Sequence, residues 1–265
     1  MPVTMRRVGD VDALELHEQG DGPPLLFLHG IRGLGHHDAV LDGLARDFRV
    51  LAPSHPGFGR SALPDWCDTV DDLVCVYLEL IDDLGLRDLA VVGCSLGGWI
   101  AAELALRAPL AQLVLVDAVG IRVGGREERD IADIYALSAA EVARLAFSDP
   151  DLAAGFASIE GKSQEELAII ARNQDAGVLY GWEPYFCNPK LLRRLRRVTA
   201  PTLVVWGADD GIVTTDYGRA FAAAIPGARF HEIAAAGHAP QLEQPEAFLA
   251  VVRDFLGSAP GEEAR

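Results

Sequence analysis

The stretch from residue 89 to residue 106 restricts the fold of this chain more than any other part of the sequence. It begins with an apolar run that predicts a buried strand, continues with the six residues GCSLGG, and ends in good helix formers. A serine between two glycines at such a turn is typical of a nucleophile, because the strained backbone lifts the Ser95 hydroxyl above the edge of the sheet. Side chains at Gly93 and Gly97 would collide with neighbouring backbone. The N-terminus of the helix directs free N–H groups toward charge that develops beside the serine.

Glycine-rich turns also bind phosphates, so nucleotide binding is the alternative interpretation of such motifs. A second glycine-rich segment, residues 30–35, follows a predicted strand and precedes a predicted helix, as a dinucleotide-binding loop does. A dinucleotide loop requires an acidic residue about 20 positions later, at the end of the next strand. That strand ends in the sequence LAPS, residues 51–54, which contains no acid. We therefore interpret residues 30–35 as a loop that supplies backbone N–H groups to an oxyanion.

Strand-like and helix-like segments alternate through most of the chain. Short apolar runs predict buried strands, and apolar residues at helical spacing predict the helices between them. Residues 3–17 alternate weakly about a Gly-Asp turn and predict an edge hairpin. The predicted strands are 25–28, 49–52, 89–92, 113–116, 201–206 and 229–234, and the predicted helices besides the one after the serine are 36–47, 70–84, 216–225 and 245–256. This order predicts an α/β fold with a mainly parallel sheet that helices cover on both faces.

The alternation stops after Asp117. Residues 118–200 contain helix-like segments but no clear buried strand. We interpret them as a helical cap inserted at the carboxyl edge of the sheet, where open α/β folds place their binding sites. The core then consists of residues 1–117 and 201–256, and residues 257–265 are expected to form a flexible tail.

Composition narrows the classes of function. The chain has 265 residues, half of them hydrophobic, which suits one large domain with an insertion. A net charge of −16 argues against nucleic acids and anionic membranes as partners, because both require basic patches; the basic segment 191–197 is interleaved with leucines and fits a solvated helix face. We find no apolar stretch that fits a membrane span or a signal peptide. The four cysteines form no CxxC pair, which favours reduced thiols and a cytoplasmic location.

The C-terminal third of the chain provides the partners that a serine nucleophile requires. A histidine must take the serine proton, and a carboxylate must hold that histidine in one tautomer. Asp209 and Asp210 follow one predicted strand, and His238 follows the last predicted strand, so all three are expected at the edge that carries Ser95. The order Ser95, Asp210, His238 is typical of one serine-hydrolase architecture. Asp209 and Asp117, which also ends a strand, remain alternatives for the acid.

Five stretches in the predicted core resemble the α/β-hydrolase superfamily, in its cap-bearing branch of small bacterial serine hydrolases. They are LLFLHG, SHPGFGRS, VVGCSLGGW, VVWGADDGIV and AAGHAPQLEQPEAF. The resemblance implies an eight-stranded, mainly parallel sheet and a catalytic triad of Ser95, Asp210 and His238, in which the acid stands three residues after the glycine of the WGxxD turn. It also implies that the N–H groups of Ile31 and Leu96 form the oxyanion hole, and that the reaction needs no metal and no organic cofactor.

A serine at the turn favours hydrolysis of a small, largely apolar ester, lactone or thioester, since relatives that open haloalkanes or epoxides carry aspartate there. C–C bond hydrolases of the same fold are an alternative, although they commonly carry Trp after the catalytic histidine, where this chain has Ala239. A ligand sensor or non-hydrolytic biosynthetic protein that keeps the triad is another. His29, Trp182 and Arg172 are candidate substrate-binding residues, and His29 is also expected to organise the oxyanion loop. The sequence leaves open whether the protein is a monomer or a homodimer.

Overall fold

A computed structural model describes residues 1–125 and 127–258, so the tail predicted for 257–265 lies outside these ranges from residue 259 onward. The described residues form an eight-stranded sheet in the order β1-β2-β4-β3-β5-β6-β7-β8. The strands are β1 (Val3–Val8), β2 (Val11–Gln19), β3 (Pro24–Leu28), β4 (Arg49–Pro53), β5 (Ala90–Cys94), β6 (Gln112–Val116), β7 (Thr202–Gly207) and β8 (Arg229–Ile233). β1 and β2 form an antiparallel edge hairpin, β2 is also antiparallel to β4, and the other pairs are parallel. The predicted mainly parallel sheet is confirmed.

Helices cover both faces of this sheet. Those outside the segment between β6 and β7 are α1 (Asp38–Leu44), α2 (Val70–Asp83), α3 (Leu96–Leu104), α8 (Thr215–Ala224), α9 (Pro240–Glu243) and α10 (Pro245–Gly257). α2, α3 and α8 share one apolar cluster with one face of the sheet, and α1 and α10 share a second cluster with the other face. Along β3, Leu26 and Leu28 belong to the first cluster, and Leu25 and Phe27 belong to the second. Since both faces of the strand are buried, its sequence is a continuous apolar run.

Local signals account for several element boundaries. α2 begins at a capping box, in which the Thr69 side chain accepts from the N–H of Asp72 and the Asp72 carboxylate accepts from the N–H of Thr69. β5 extends to Cys94 and therefore delivers the chain directly to the turn at Ser95. α1 is shorter than the predicted helix because the preceding loop continues through His36, whose φ of 73° is not helical.

Residues 118–200 connect β6 to β7, and their described part contributes no strand to the sheet. This segment, called the insertion below, contains α4 (Ala139–Ala146), α5 (Pro150–Ala157), α6 (Gln164–Gly181), α7 (Leu191–Arg194) and a 3-10 turn (Leu195–Arg197). In the basic segment, Leu191 and Leu195 are buried while the arginines are exposed, so these arginines lie on a solvated helix face as predicted. The limits of the insertion and its role as a cap stay a prediction.

Among the helices of residues 1–125 and 127–258, none is both long enough and apolar enough to span a membrane. All four cysteines are free thiols, and three of them are buried. A cytoplasmic location stays a prediction from the sequence.

Candidate active site

Ser95 lies at a strained corner between β5 and α3. Its backbone has φ 52° and ψ −114°, a region that residues with side chains rarely adopt. The surrounding backbone explains the flanking glycines. A Cβ on Gly97 would lie 2.1 Å from the carbonyl oxygen of Leu28, and a Cβ on Gly93 would lie 2.3 Å from the carbonyl oxygen of Gly97. The collision predicted from the sequence is confirmed, and this tight packing holds the serine at the end of β5.

A continuous chain of hydrogen bonds joins Ser95, His238 and Asp210. His238 Nε2 lies 2.9 Å from Ser95 Oγ, and His238 Nδ1 lies 2.8 Å from Asp210 Oδ2. The other carboxylate oxygen of Asp210 accepts from the N–H groups of Ile212 and Val213, at 2.8 and 2.9 Å. Because the Asp210 side chain is fully buried and both of its oxygens are engaged, it holds the histidine with the proton on Nδ1. The Nε2 atom is therefore free to accept the serine proton.

The three acids that the sequence proposes as partners of His238 differ in burial and in their hydrogen bonds. Asp209 is exposed and accepts a hydrogen bond from Ser148 Oγ at 2.8 Å. Asp117 is completely buried, and its Oδ1 accepts from the N–H of Gly207 at 2.9 Å. Burial, followed by the negative charge of Asp210, raises the pKa of the Asp117 carboxyl well above its ordinary value. Of the three acids, Asp210 is the one that is hydrogen-bonded to the histidine.

The loop after β3 passes directly beside Ser95. A Cβ on Gly30 would lie 3.1 Å from Ser95 Cβ and 3.7 Å from Ser95 Oγ. The next residue, Ile31, lines the same cavity as the serine. Leu96 is the first residue of α3, so its N–H has no partner within the helix. The predicted pairing of Ile31 and Leu96 as oxyanion donors is consistent with these positions and stays a prediction.

A buried chain of hydrogen bonds supports this loop. His29 Nδ1 lies 2.6 Å from the carbonyl oxygen of Gly30, and His29 Nε2 accepts from the N–H of His55 at 3.0 Å. His55 Nε2 in turn lies 2.8 Å from the carbonyl oxygen of His29, and His55 Nδ1 is bonded to the hydroxyl of Tyr77. Burial lowers the pKa of His29 well below its usual value and lowers that of His55 to about 4. His29 is thus a neutral, buried support of the loop, and the suggested contact with substrate is corrected.

Asn173, in α6, ties the insertion to the same loop. Its Nδ2 donates to the carbonyl oxygen of Arg32 at 2.8 Å, and its Oδ1 accepts from the N–H of Gly59 at 2.9 Å. A Cβ on Gly33 would lie 2.5 Å from Asn173 Nδ2, so the loop and the helix fit together only without a side chain there. This buried amide therefore fixes the loop relative to the insertion.

A cavity of about 780 Å³, counting its open mouth, is lined by Ser95 and His238. The insertion contributes an apolar part of the wall, made of Val119, Ile131, Ile134, Val142, Ala146, Phe147, Phe156 and Phe186. The Ser95 side chain therefore faces a largely apolar space.

The sequence profile of the alpha/beta hydrolase family matches residues 25–251, which is most of the chain. The chain belongs to the alpha/beta hydrolase family. It is 30% identical over 264 residues to a 2-hydroxymuconate semialdehyde hydrolase from Pseudomonas sp. strain CF600, covering 92% of this chain and 90% of that protein. The family match and such hydrolase relatives identify the chain as an enzyme.

Solved structures agree on the fold of this alpha/beta hydrolase. A variant of the meta-cleavage product hydrolase CumD from Pseudomonas fluorescens has a TM-score of 0.75 at 23% identity, covering 96% of this chain and 97% of that chain. A thermophilic esterase from Thermogutta terrifontis has a TM-score of 0.74 at 23% identity, covering 97% of this chain and 98% of that chain. At this level of identity, the likeness concerns the fold alone.

Two residues proposed for substrate binding lie away from the cavity of this hydrolase. Trp182 follows α6 with 58% of its surface exposed, and its ring packs against Tyr135 with the centroids 5.7 Å apart. Arg172 is exposed on α6 and donates to the carbonyl oxygen of Ser61 at 2.7 Å. Neither is among the described residues that line the cavity. The sequence prediction is corrected on this point, because these side chains face solvent or the core surface rather than the serine.

Three polar side chains that the sequence did not assign to the site line the cavity instead: Arg32, His37 and Gln241. The Arg32 guanidinium lies over the ring of Phe156, 4.3 Å from its centroid, and burial lowers the pKa of Arg32. Gln241 Nε2 lies 3.4 Å from His37 Nε2, while Gln241 Oε1 is buried and has no partner among the described residues. Arg32 lies in the predicted oxyanion loop and Gln241 lies in the stretch AAGHAPQLEQPEAF, so both segments were marked in the sequence, although neither residue was assigned a role.

Proposed function

We propose that this hydrolase cleaves a small, largely apolar ester, lactone or thioester through an acyl-enzyme on Ser95. One observation carries the proposal: Ser95 Oγ lies 2.9 Å from His238 Nε2, and the opposite ring nitrogen is held by Asp210 at 2.8 Å. A hydroxyl within hydrogen-bond distance of a base that a carboxylate orients is the arrangement that makes serine nucleophilic. The strained turn also makes the Ser95 hydroxyl accessible to a substrate, because it directs that hydroxyl into the cavity.

The reaction begins when Ser95 Oγ attacks the carbonyl carbon and its proton passes to His238 Nε2. The N–H groups of Ile31 and Leu96 stabilise the oxyanion of the tetrahedral intermediate, at about 3 kcal/mol per donor. His238 then gives its proton to the departing oxygen or sulfur, the bond to the acyl carbon breaks, and the acyl group stays on the serine. A water molecule that loses a proton to His238 attacks this acyl group, the bond between the acyl carbon and Ser95 Oγ breaks, and His238 returns its proton to Ser95 Oγ as the acid is released. Asp210 stabilises the charged imidazole in both halves of the cycle.

The cavity favours compact apolar acyl groups. The rings of Phe147 and Phe156 meet edge to face with their centroids 4.6 Å apart, and Phe186 adds a third aromatic side chain to the wall. Such side chains bury large apolar areas of a ligand without requiring hydrogen bonds from it. The aromatic wall therefore favours a compact, largely apolar acyl group.

A C–C bond hydrolase of the same fold is the second candidate. It is favoured by the 30% identical relative, which is named for the hydrolysis of 2-hydroxymuconate semialdehyde. Arg32 also places a cation in a largely apolar cavity, and within the described ranges no carboxylate forms an ion pair with it. That arrangement suits a substrate that carries its own carboxylate. Ala239 counts against this candidate, since the C–C hydrolases that the chain resembles commonly carry Trp there.

A substrate panel tests the proposal and separates the two candidates. The panel contains p-nitrophenyl esters from acetate to octanoate, short lactones and thioesters, and 2-hydroxymuconate semialdehyde, with the Ser95→Ala variant as the blank. The proposal predicts turnover of the short esters, lactones or thioesters, with kcat/KM falling as the acyl chain outgrows the cavity. Turnover of the semialdehyde alone would establish the C–C candidate instead. Tight binding by the wild-type protein without turnover of any compound would contradict both and indicate a ligand sensor.

A further inference from the structure

Asp117 brings a second buried carboxyl to the triad. It follows β6 directly, and Asp210 stands three residues after the end of the neighbouring strand β7. The parallel pairing of β6 with β7 brings the carboxyl ends of the two strands together. One side-chain atom each of Asp117, Asp210 and His238 lie within 4.8 Å of one another. Because Asp117 is 0% exposed, water cannot solvate a charge on it.

The two carboxyls differ in how many donors they meet. Asp210 accepts three hydrogen bonds, two from backbone N–H groups and one from His238. Asp117 accepts one, from the N–H of Gly207 at its Oδ1, and its Oδ2 is buried with no partner among the described residues. Two carboxylates this close cannot both be ionised without a large cost, so one of them keeps a proton. The better-solvated charge is that of Asp210, which leaves the proton on Asp117.

We propose that Asp117 is a positioning residue of the triad, a neutral carboxylic acid whose Oδ2–H donates a hydrogen bond to Asp210. The chain of hydrogen bonds then has four members, from Ser95 through His238 and Asp210 to Asp117. Asp117 Oδ2 otherwise has no hydrogen-bond partner among the described residues. A proton on this oxygen gives it a partner in Asp210 and gives the Asp210 carboxylate a fourth donor. This role in catalysis rests on the proposed function, but the protonation of Asp117 does not.

The groups that surround Asp117 support this assignment. Burial raises its pKa most, followed by the negative charge of Asp210, and the charge of Glu243 also raises it, while the hydrogen bond from the Gly207 N–H opposes them. Burial also raises the pKa of the neighbouring Cys94 thiol, which therefore stays neutral, and the Nδ1 of His238 is bonded to Asp210. Among the described groups that act on Asp117, burial and the nearby acids therefore favour its neutral form over the single N–H of Gly207.

A neutral Asp117 keeps a second negative charge away from the histidine. If Asp117 were ionised, two carboxylates would stabilise the imidazolium of His238, and the base would lose its proton only at higher pH. Removing such a charge would shift the acid limb of the pH profile of kcat/KM downward by about one pH unit or more. Removing a neutral group of the same shape would leave that limb in place.

The direct test is ¹³C NMR of protein labelled at the aspartate carboxyl carbons, which needs no substrate. The Asp117 resonance is identified by its loss in Asp117→Asn, and Asp209→Asn serves as the assignment control because it removes a different resonance. We expect the Asp117 signal at the position of a carboxylic acid at pH 7. A carboxylate position at pH 7 overturns the proposal, whatever Ser95 does.

Kinetics of p-nitrophenyl acetate hydrolysis then test the positioning role. Asp117→Val removes the donor to Asp210 and should lower kcat by about 10- to 100-fold, the change expected when a charged group loses one hydrogen bond. Asp117→Asn should keep most of the wild-type kcat, since its amide oxygen can accept from the N–H of Gly207 while its NH₂ donates to Asp210. The acid limb of its pH profile of kcat/KM should lie at the same pH as that of the wild-type protein. A downward shift of the limb in Asp117→Asn, or a loss as large as that of Asp210→Asn, overturns the proposal. If Asp117→Val does not fold, the NMR result and Asp117→Asn decide it.

Discussion

Replacing Asp210 with asparagine should inactivate this hydrolase while its fold survives. The N–H groups of Ile212 and Val213 both donate hydrogen bonds, and only an oxygen atom of the new side chain can accept them. The amide nitrogen of the asparagine must therefore face His238. That nitrogen is a donor, which forces His238 Nδ1 to become the acceptor and moves the ring proton to Nε2. The Nε2 atom then already holds a proton when it faces Ser95 Oγ, and the base is lost before the reaction begins.

A wrong tautomer of this kind costs about 10⁴-fold in kcat, which is roughly 5 kcal/mol of transition-state stabilisation. Initial rates with p-nitrophenyl acetate measure the loss, Ser95→Ala gives the background rate, and circular dichroism checks the fold. The matched control is Asp209→Asn, because Asp209 is exposed and bonded to Ser148 rather than to the histidine. A loss below about tenfold in Asp210→Asn, or an equal loss in the control, would refute the reasoning.

Three further predictions concern the cavity, the buried histidines and the packing around the nucleophile. Phe156→Ala should change kcat/KM by different factors for different members of an ester series, because the Phe156 ring lines the cavity. Trp182→Ala should leave the relative kcat/KM values of that series unchanged, because Trp182 is exposed. The reverse pattern would contradict the cavity described above. His55 has a pKa of about 4 when folded, below its usual 6.5, so its stabilisation is present above pH 6.5 and is lost as the pH falls toward 4. Urea denaturation should show about 2 kcal/mol of this loss between pH 8 and pH 5, and His55→Gln should reduce the slope; an unchanged slope would count against a buried neutral histidine. Gly97→Ala should lower the free energy of unfolding by at least about 2 kcal/mol, since its Cβ would lie 2.1 Å from a backbone carbonyl oxygen of β3. The control Gly35→Ala should change the free energy of unfolding little, because nothing lies within 4 Å of its Cβ. Equal effects of the two substitutions would show that the packing around Gly97 is looser than described.

The parts of the molecule that sequence reasoning predicted correctly have local signals. The turn at Ser95 is one, because the backbone contacts of Gly93 and Gly97 arise within a few residues of the serine or from the strand beside it. The buried strands are another, since apolar runs such as that of β3 need no partner to be recognised. The hydrogen-bonded grouping of Ser95, Asp210 and His238 was predictable because each residue follows a strand that ends at the same edge of the sheet, while their catalytic roles stay a prediction.

The parts that could not be predicted depend on tertiary packing. The order of strands in the sheet is a property of pairing between distant segments, such as β3 with β5. Trp182 and Phe156 both belong to a helical stretch rich in aromatic residues, and only the packing of the insertion places Phe156 in the cavity and Trp182 in solvent. The hydrogen bond between Asn173 and the carbonyl oxygen of Arg32 joins residues 141 positions apart, and no local sequence pattern at either residue predicts it.

The measurement that tests the central claim most directly is intact-protein mass spectrometry after reaction with a fluorophosphonate, followed by peptide mapping. The proposed mechanism predicts a single covalent adduct on the peptide that contains Ser95, and no adduct in Ser95→Ala. Labelling should also slow in the Asp210→Asn variant, since His238 can no longer take the serine proton. An adduct on another residue, or labelling that survives Ser95→Ala, would contradict the assignment of Ser95 as the nucleophile.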